Sequence, residues 1–162
     1  MSIKRLSSFV KFLEEKAGFK FNLNLFDHRL KLQKYVYIGR LFGLPLSYSY
    51  NIYLRGPYSP DLALDYYRLA NTPSDGSDYD RELAGFDANG FLKLVKGQDA
   101  DWLEVAATML SIHSRYRSMA DKRKLKELIL AMTKDIKSFI PNASTVVENV
   151  FGELSKRGLI EA

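Results

Sequence analysis

The sequence contains no cysteine, and this absence excludes several kinds of site at once. Disulfide bonds, thiolate metal sites and cysteine nucleophiles all require that residue. No run of about 18 apolar residues occurs, so we expect no membrane-spanning helix and no membrane partner. The first residues also lack the apolar stretch of a secretory signal peptide. We therefore expect a soluble, cytoplasmic protein.

Recognisable catalytic motifs are also missing. The chain has no glycine-rich phosphate loop, no Gly-x-Ser-x-Gly elbow and no His-Glu-x-x-His pair. Its two histidines, His28 and His113, are far apart in the sequence, and His113 falls on the apolar side of a predicted helix, which favours a buried structural histidine. We expect no catalytic residue, no metal site and no cofactor. An enzyme of unknown class is the least favoured alternative.

The residues that are present have the composition of a globular protein with a basic excess. The chain has 162 residues, of which 46% are hydrophobic and 27% charged, and this balance supports a hydrophobic core. We expect a single compact domain over residues 1–162, with a mobile loop at 71–80 as its only candidate internal boundary. The formal charge of +5 permits a nucleic acid or an acidic protein as partner, without requiring either.

Apolar residues recur at helical spacing along most of the chain. This pattern predicts a mainly α fold (α+β class) with about six helices and a few short strands. The predicted helices lie near residues 2–17, 27–42, 60–70, 99–116, 121–140 and 144–157. Alternating aromatic residues predict a strand at 47–55. Residues 81–97 are ambiguous, because 86–90 indicate a turn and 91–95 allow either a strand or a helix.

Several predicted helices begin or end at residues suited to helix termini. Asp27 and Ser59 are predicted N-caps, because their side chains can accept hydrogen bonds from free backbone amides. Pro60 suits the first position of the helix that follows Ser59, because that position needs no amide donor. Gly43 and Gly158 are predicted to end their helices in a left-handed conformation.

The helix near 27–42 carries apolar residues on more than one face, which favours a position near the middle of the fold. Leu32, Tyr35 and Val36 are expected in the core. Lys31 and Lys34 are expected at the surface, with solvated charges.

A winged-helix-like C-terminal part is one interpretation of residues 144–162. A helix capped by Ser144 or Thr145 is followed by Lys-Arg-Gly-Leu-Ile, which would lead into a strand. The exposed positions of this helix would include Glu148 and Glu153, whose carboxylates repel phosphate. We therefore do not expect this helix to enter a DNA groove.

The most distinctive run is residues 56–60 (GPYSP), which predicts a strand–turn–helix corner. Arg55 and Tyr58 could hold an anion or a carboxylate of a partner there, together with the free amides of the helix start. Arg40 and Gln33 lie on one polar strip of the preceding helix and complete the predicted partner-binding set. Gln33 is also expected to reach backbone groups at the neighbouring turn.

A basic stretch lies between two predicted helices. Its cations are Arg115, Arg117, Lys122, Arg123, Lys124 and Lys126. They could bind phosphates of DNA or RNA, and each contact would make the affinity depend on salt. The other interpretation is a solvated helix end, because cations near a helix C-terminus are favourable in any protein.

Residues 30–37 (LKLQKYVY) and 53–62 (YLRGPYSPDL) together resemble the YwgA-like family of uncharacterised prokaryotic proteins. More distantly, they are similar to the Panacea (SocA-like) antitoxin domain. The resemblance implies a bacterial or archaeal origin and a mostly helical fold. Through the antitoxin branch, it also implies an interaction domain that neutralises a toxin or acts as an adaptor.

The leading hypothesis is a non-enzymatic regulatory module that binds an unidentified protein partner. The alternative is a DNA-binding regulator of the winged-helix or helix-turn-helix type that uses the basic stretch. A homo-oligomer is compatible with either hypothesis.

Overall fold

A computed structural model describes residues 2–53, 55–69 and 79–161 of the chain. The helices are α1 Ser2–Lys16, α2 Phe26–Gly39, α3 Pro60–Leu69, α4 Tyr79–Glu82, α5 Ala88–Val95, α6 Ala100–Tyr116, α7 Lys122–Ile136 and α8 Ala143–Lys156, with a 3-10 turn at Arg40–Phe42 after α2. The strands β1 Asn51–Tyr53 and β2 Gly56–Tyr58 pair as a small antiparallel sheet. The predicted mainly α class with short strands is confirmed. Within the described ranges, no helix has the length and apolar character needed to cross a membrane.

Residue contacts divide the described residues into two compact units. Unit 1 contains the described residues up to Asn51 and from Tyr58 to Gln98. Unit 2 contains the hairpin tip Ile52–Pro57, apart from Leu54, together with the described residues from Asp99 onward. The boundary predicted at 71–80 stays a prediction. Residues 71–78 of that predicted loop lie outside the described residues, and the last two begin α4.

Unit 1 has a core rich in phenylalanine. Phe9 and Phe12 on α1 meet Phe86 and Phe91, with ring centroids 5.3 to 6.4 Å apart in edge-on, tilted and stacked arrangements. Such pairs add stabilisation beyond the apolar area they bury. Phe91 lies on α5, so residues 91–95, for which the sequence allowed a strand or a helix, are helical. The Asp87 side chain caps it by accepting the Gly90 N–H at 3.0 Å.

Gly43 ends the turn after α2, and the backbone conformation at this position requires a glycine. Its φ of 84° is left-handed, and a Cβ at this position would lie 2.6 Å from the Gly85 carbonyl oxygen. The Phe42 carbonyl accepts the Asp87 N–H at 2.7 Å beside it. The predicted end of the helical segment at Gly43 is therefore confirmed, although its last turn is 3-10.

Unit 2 is built on α6, α7 and α8, which pack pairwise against one another. Their fully buried apolar side chains recur at helical spacing and include Leu103, Ala106, Leu125, Ile129, Val147, Val150 and Leu154. Asp99 caps α6 by accepting the Trp102 N–H at 2.8 Å. Asp121 caps α7 by accepting two amides at 3.0 and 3.2 Å.

Two of the predicted N-caps are wrong. α2 begins one residue before Asp27, and its N-cap is Leu25, which makes no side-chain bond. α8 begins at Ala143 after Asn142, whose φ of 56° is left-handed, so Ser144 and Thr145 lie within the first turn. In both cases a turn leads into the helix, and the pattern of polar residues did not indicate the residue at which the helix begins.

The predicted winged-helix-like C-terminal part is also wrong. Residues 157–161 contain no strand after α8. Instead, Gly158 has a left-handed φ of 73°, and the Leu159 N–H donates to the Leu154 carbonyl at 2.9 Å. This pattern closes the helix and turns the chain back, which leaves Ile160 buried.

The predicted strand at 47–55 is shorter, and Gly56–Tyr58 forms a second strand instead of a turn. Lys34, expected at the surface, is completely buried, and only 22% of the Lys31 side chain is exposed. Every residue of α2 from position 32 to 39 is buried, on all sides of the helix. Its lysines therefore have little contact with solvent, contrary to the expectation.

Candidate interaction site

Gln33 holds the start of α3 in place. Its Nε2 donates to the Ser59 carbonyl at 2.9 Å, and its Oε1 accepts the Ser59 N–H at 2.9 Å. The Ser59 hydroxyl accepts the Leu62 N–H at 3.2 Å, which confirms Ser59 as the N-cap. Gln33 is only 1% exposed, and both ends of its amide serve this corner. Its contribution in this structure is to position the corner.

Tyr58 belongs to unit 1 and is half-buried. Its hydroxyl interacts with that of Tyr66, which also meets Gln33. Burial is the largest effect on Tyr66 and raises its pKa, the Gln33 contact lowers it, and the Tyr58 contact raises it. Tyr58 is therefore part of a polar network that reaches the unit 1 interior.

Arg40 is exposed and lies against two tyrosines of unit 1. Its guanidinium carbon is 4.2 Å from the centroid of the Tyr37 ring and 5.4 Å from that of Tyr50. Its Nε donates to the Tyr37 carbonyl at 3.2 Å. Burial raises the pKa of Tyr50, and the Arg40 charge opposes this effect. The cation is thus stacked on aromatic faces, which fixes its orientation.

Arg55 lies in the turn of the hairpin and meets a buried carboxylate of unit 2. Its guanidinium is 3.2 Å from Glu104 Oε1, and Lys137 Nζ is 3.1 Å from Glu104 Oε2. The Glu104 and Lys137 side chains are completely buried, whereas 46% of the Arg55 side chain is exposed. Burial lowers the pKa of Lys137, Glu104 opposes this shift and Arg55 adds to it. One carboxylate therefore anchors the hairpin turn to α6 and to the end of α7.

An exposed aromatic side chain lies against Arg55, and two further exposed apolar residues stand on β1. Its guanidinium carbon lies 5.4 Å from the Phe139 ring centroid, and Phe139 is 48% exposed. On β1, Ile52 and Tyr53 are 48% and 49% exposed. Ile52 also lines a shallow groove whose other lining residues are Ser111, Ile112, Arg115, Tyr116, Met132 and Ile136. We call Ile52, Tyr53, Arg55, Phe139 and this groove the hairpin-tip surface; all of its residues belong to unit 2.

The four residues predicted to bind a partner do not share one unit. Gln33, Arg40 and Tyr58 belong to unit 1, and Arg55 belongs to unit 2. Sequence reasoning missed Glu104, which interrupts an apolar stretch of α6 and could have been found as a charge at a core position. It also missed Lys137 and Phe139, for which no local signal exists.

The six cations of the basic stretch are all exposed. Lys122 donates to the Arg117 carbonyl at 2.9 Å and pairs with Glu161 at 3.6 Å. Lys126 lies 5.4 Å from the Phe151 ring centroid. The exposure of these charges is compatible with both interpretations of the stretch.

His113 is buried beside this stretch, as its place on the apolar side of α6 predicted. Its Nε2 accepts the Glu161 N–H at 3.3 Å. Burial lowers the pKa of His113, Glu161 raises it, and the cations Arg117 and Lys122 lower it further. The neutral ring therefore holds the C-terminal segment.

Within the described residues, no three His, Asp or Glu side chains lie close enough to hold a metal ion. Comparison with protein-family models found no match, and neither curated proteins nor solved structures gave one.

Proposed function

We propose that this chain is a non-enzymatic interaction and regulatory module, antitoxin-like or adaptor-like, that binds a protein partner through the hairpin-tip surface. The observation that supports it most is the half-exposed set Ile52, Tyr53 and Phe139 around a turn whose arginine is anchored on Glu104. Aromatic and arginine side chains carry much of the binding energy at protein interfaces. A turn held by a buried carboxylate loses little freedom on binding, because it is ordered beforehand.

The positive charges of the hairpin-tip surface favour an acidic partner. Arg55 stands beside Phe139, and Arg115 lines the groove below Ile52. The expected occupant is a protein segment that inserts an apolar side chain into the groove and presents an aspartate or glutamate to the arginines. A basic segment would meet repulsion at the same place.

Selection of peptides from a random displayed library tests this proposal with a defined readout. We expect enriched peptides to combine an apolar side chain with at least one carboxylate. Each peptide is then synthesised with a fluorophore, and its affinity is measured by anisotropy. The I52S and F139S variants should weaken binding by about fivefold or more, because loss of an apolar anchor at an interface costs over about 1 kcal/mol.

Leu64 on α3 provides a matched control. It is 57% exposed and belongs to unit 1, so L64S removes a comparable apolar side chain elsewhere. Binding should be unchanged in L64S. Enriched peptides without carboxylates, or equal losses in I52S and L64S, would contradict the proposal.

The proposal includes a cytoplasmic location, which fractionation of the native cell tests. It also keeps Arg40 and Tyr58 as partner-contacting residues, with Gln33 as the residue that positions the corner next to Tyr58. An R40A variant should weaken a natural partner's binding without unfolding the protein, because the arginine is exposed.

A further inference from the structure

A second surface of unit 2 carries the strongest local concentration of positive charge. It is formed by the end of α6, the turn after it and the start of α7. We call it the α6–α7 junction, and its cations are Arg115, Arg117, Lys122, Arg123, Lys124 and Lys126. All six are exposed, and Tyr116 among them is half-buried.

Three of these cations stand where a helix disfavours them. Lys122, Arg123 and Lys124 occupy the first turn of α7, which contains no acidic residue. The N-terminus of a helix carries a partial positive charge, so a cation there is electrostatically unfavourable at low salt. Local violations of this kind are expected where a function requires them.

The neighbouring carboxylates neutralise only part of this charge. Asp121 Oδ1 accepts the Arg123 and Lys124 amides, so that oxygen is used for capping. Glu161 pairs with Lys122 alone. Across the described part of the chain, Arg115, Arg117, Arg123 and Lys124 form no ion pair.

We infer that the α6–α7 junction binds the phosphate backbone of a nucleic acid. Several exposed cations in one short segment can neutralise neighbouring phosphates of a strand and release their counterions. Three of them are arginines, whose planar guanidinium can donate two parallel hydrogen bonds to one phosphate. A bound polyanion would also compensate the unfavourable charge at the start of α7. The junction shares Arg115 and Tyr116 with the groove of the hairpin-tip surface, but its binding of phosphates does not depend on the proposed protein partner.

The test is titration of the full chain into fluorophore-labelled duplex DNA of about 20 base pairs and into single-stranded RNA of the same sequence, at increasing KCl. The logarithm of the association constant should fall linearly with the logarithm of salt concentration. The R123A/K124A variant should lose about tenfold or more in affinity, and its slope on the duplex should decrease by about 1.8, since each phosphate contact contributes about 0.9. Tighter binding of DNA or of RNA identifies the natural ligand.

K93A/K96A is the matched control, since it removes the same charge from exposed lysines of unit 1. It should retain the affinity and slope of the natural chain, and I52S should retain them as well. Three results would each overturn the inference: no saturable binding at the lowest salt, equal losses in the two double variants, or polyglutamate bound as tightly as nucleic acid. Circular dichroism of each variant checks that the helices are intact.

Discussion

Lys137 Nζ lies 3.1 Å from Glu104 Oε2, and both side chains are completely buried. Arg55 adds a second cation to the same carboxylate from the hairpin turn. An isolated buried charge is very costly, so these groups stabilise the protein only as a set. The same set fixes the hairpin-tip surface, which links the stability of unit 2 to its proposed function.

Removal of the shared carboxylate should be strongly destabilising. E104Q leaves Lys137 buried without a counterion, so the free energy of unfolding should fall by about 3–5 kcal/mol. Urea denaturation measures it. The control is E148Q, which removes the partner of Lys134 from an exposed pair at 2.7 Å and should cost about 1 kcal/mol or less. Similar losses in E104Q and E148Q would show that the buried set is not important for stability.

Removal of both buried charges should lower the free energy of unfolding by less than removal of the Glu104 charge alone. In E104M/K137M, the interior loses its unpaired cation as well as the carboxylate, and apolar side chains of similar length fill the space. We expect this double variant to be more stable than E104Q by over about 1 kcal/mol. Urea unfolding of K137M, E104Q and the double variant completes a thermodynamic cycle. Strict additivity of the single effects would contradict a coupled pair.

Stability should decrease in mild acid through His113. Burial holds the pKa of the folded histidine below its usual value of 6.5. As the pH falls through 6.5, the unfolded chain takes up a proton that the folded chain does not, so the free energy of unfolding decreases until the folded pKa is reached. Urea unfolding between about pH 7.5 and 5.5 measures the decrease. H113Q should lose this component, and an identical pH profile in H113Q would assign the dependence to other groups.

Gln33 should stabilise the protein through its hydrogen bonds to the backbone of Ser59. Q33L leaves the buried N–H of Ser59 without a partner, and a buried unpaired group costs about 1–3 kcal/mol. The Ser59 carbonyl keeps the Ala63 N–H at 3.1 Å. S59A is the comparison, since it removes only the cap of α3 and should cost about 1 kcal/mol. Thermal and urea unfolding should rank Q33L below S59A. The opposite order would mean that the cap, not the glutamine, holds the corner.

The helices were accessible to sequence reasoning because their signals are local. The apolar stripes of α1, α6 and α7 recur at helical spacing, and Ser59 and Gly43 stand where helix termini need them. Contacts between residues that are distant in sequence could not be predicted in the same way. Lys34 was expected at the surface, and no local signal marks Lys137 as a core residue; only the tertiary structure shows that both are buried.

The candidate site was predictable only in part, for the same reason. Arg55 was selected from its place beside the Gly-Pro dipeptide, and it does lie at an exposed turn. The apolar residues around it come from the end of α7 and from the hairpin, which are distant in sequence. Glu104, the residue that brings these segments together, is recognisable only as a lone charge in an apolar stretch of α6.

Localisation of a selected acidic peptide by NMR chemical-shift mapping tests the central claim most directly. The account predicts the largest shifts at the hairpin-tip surface, on the methyl groups of Ile52 and Ile136 and on the ring of Phe139. Ile38, buried in unit 1, should be unaffected. Largest shifts among unit 1 residues, with Ile52 and Phe139 unchanged, would contradict the claim that the hairpin tip binds the partner.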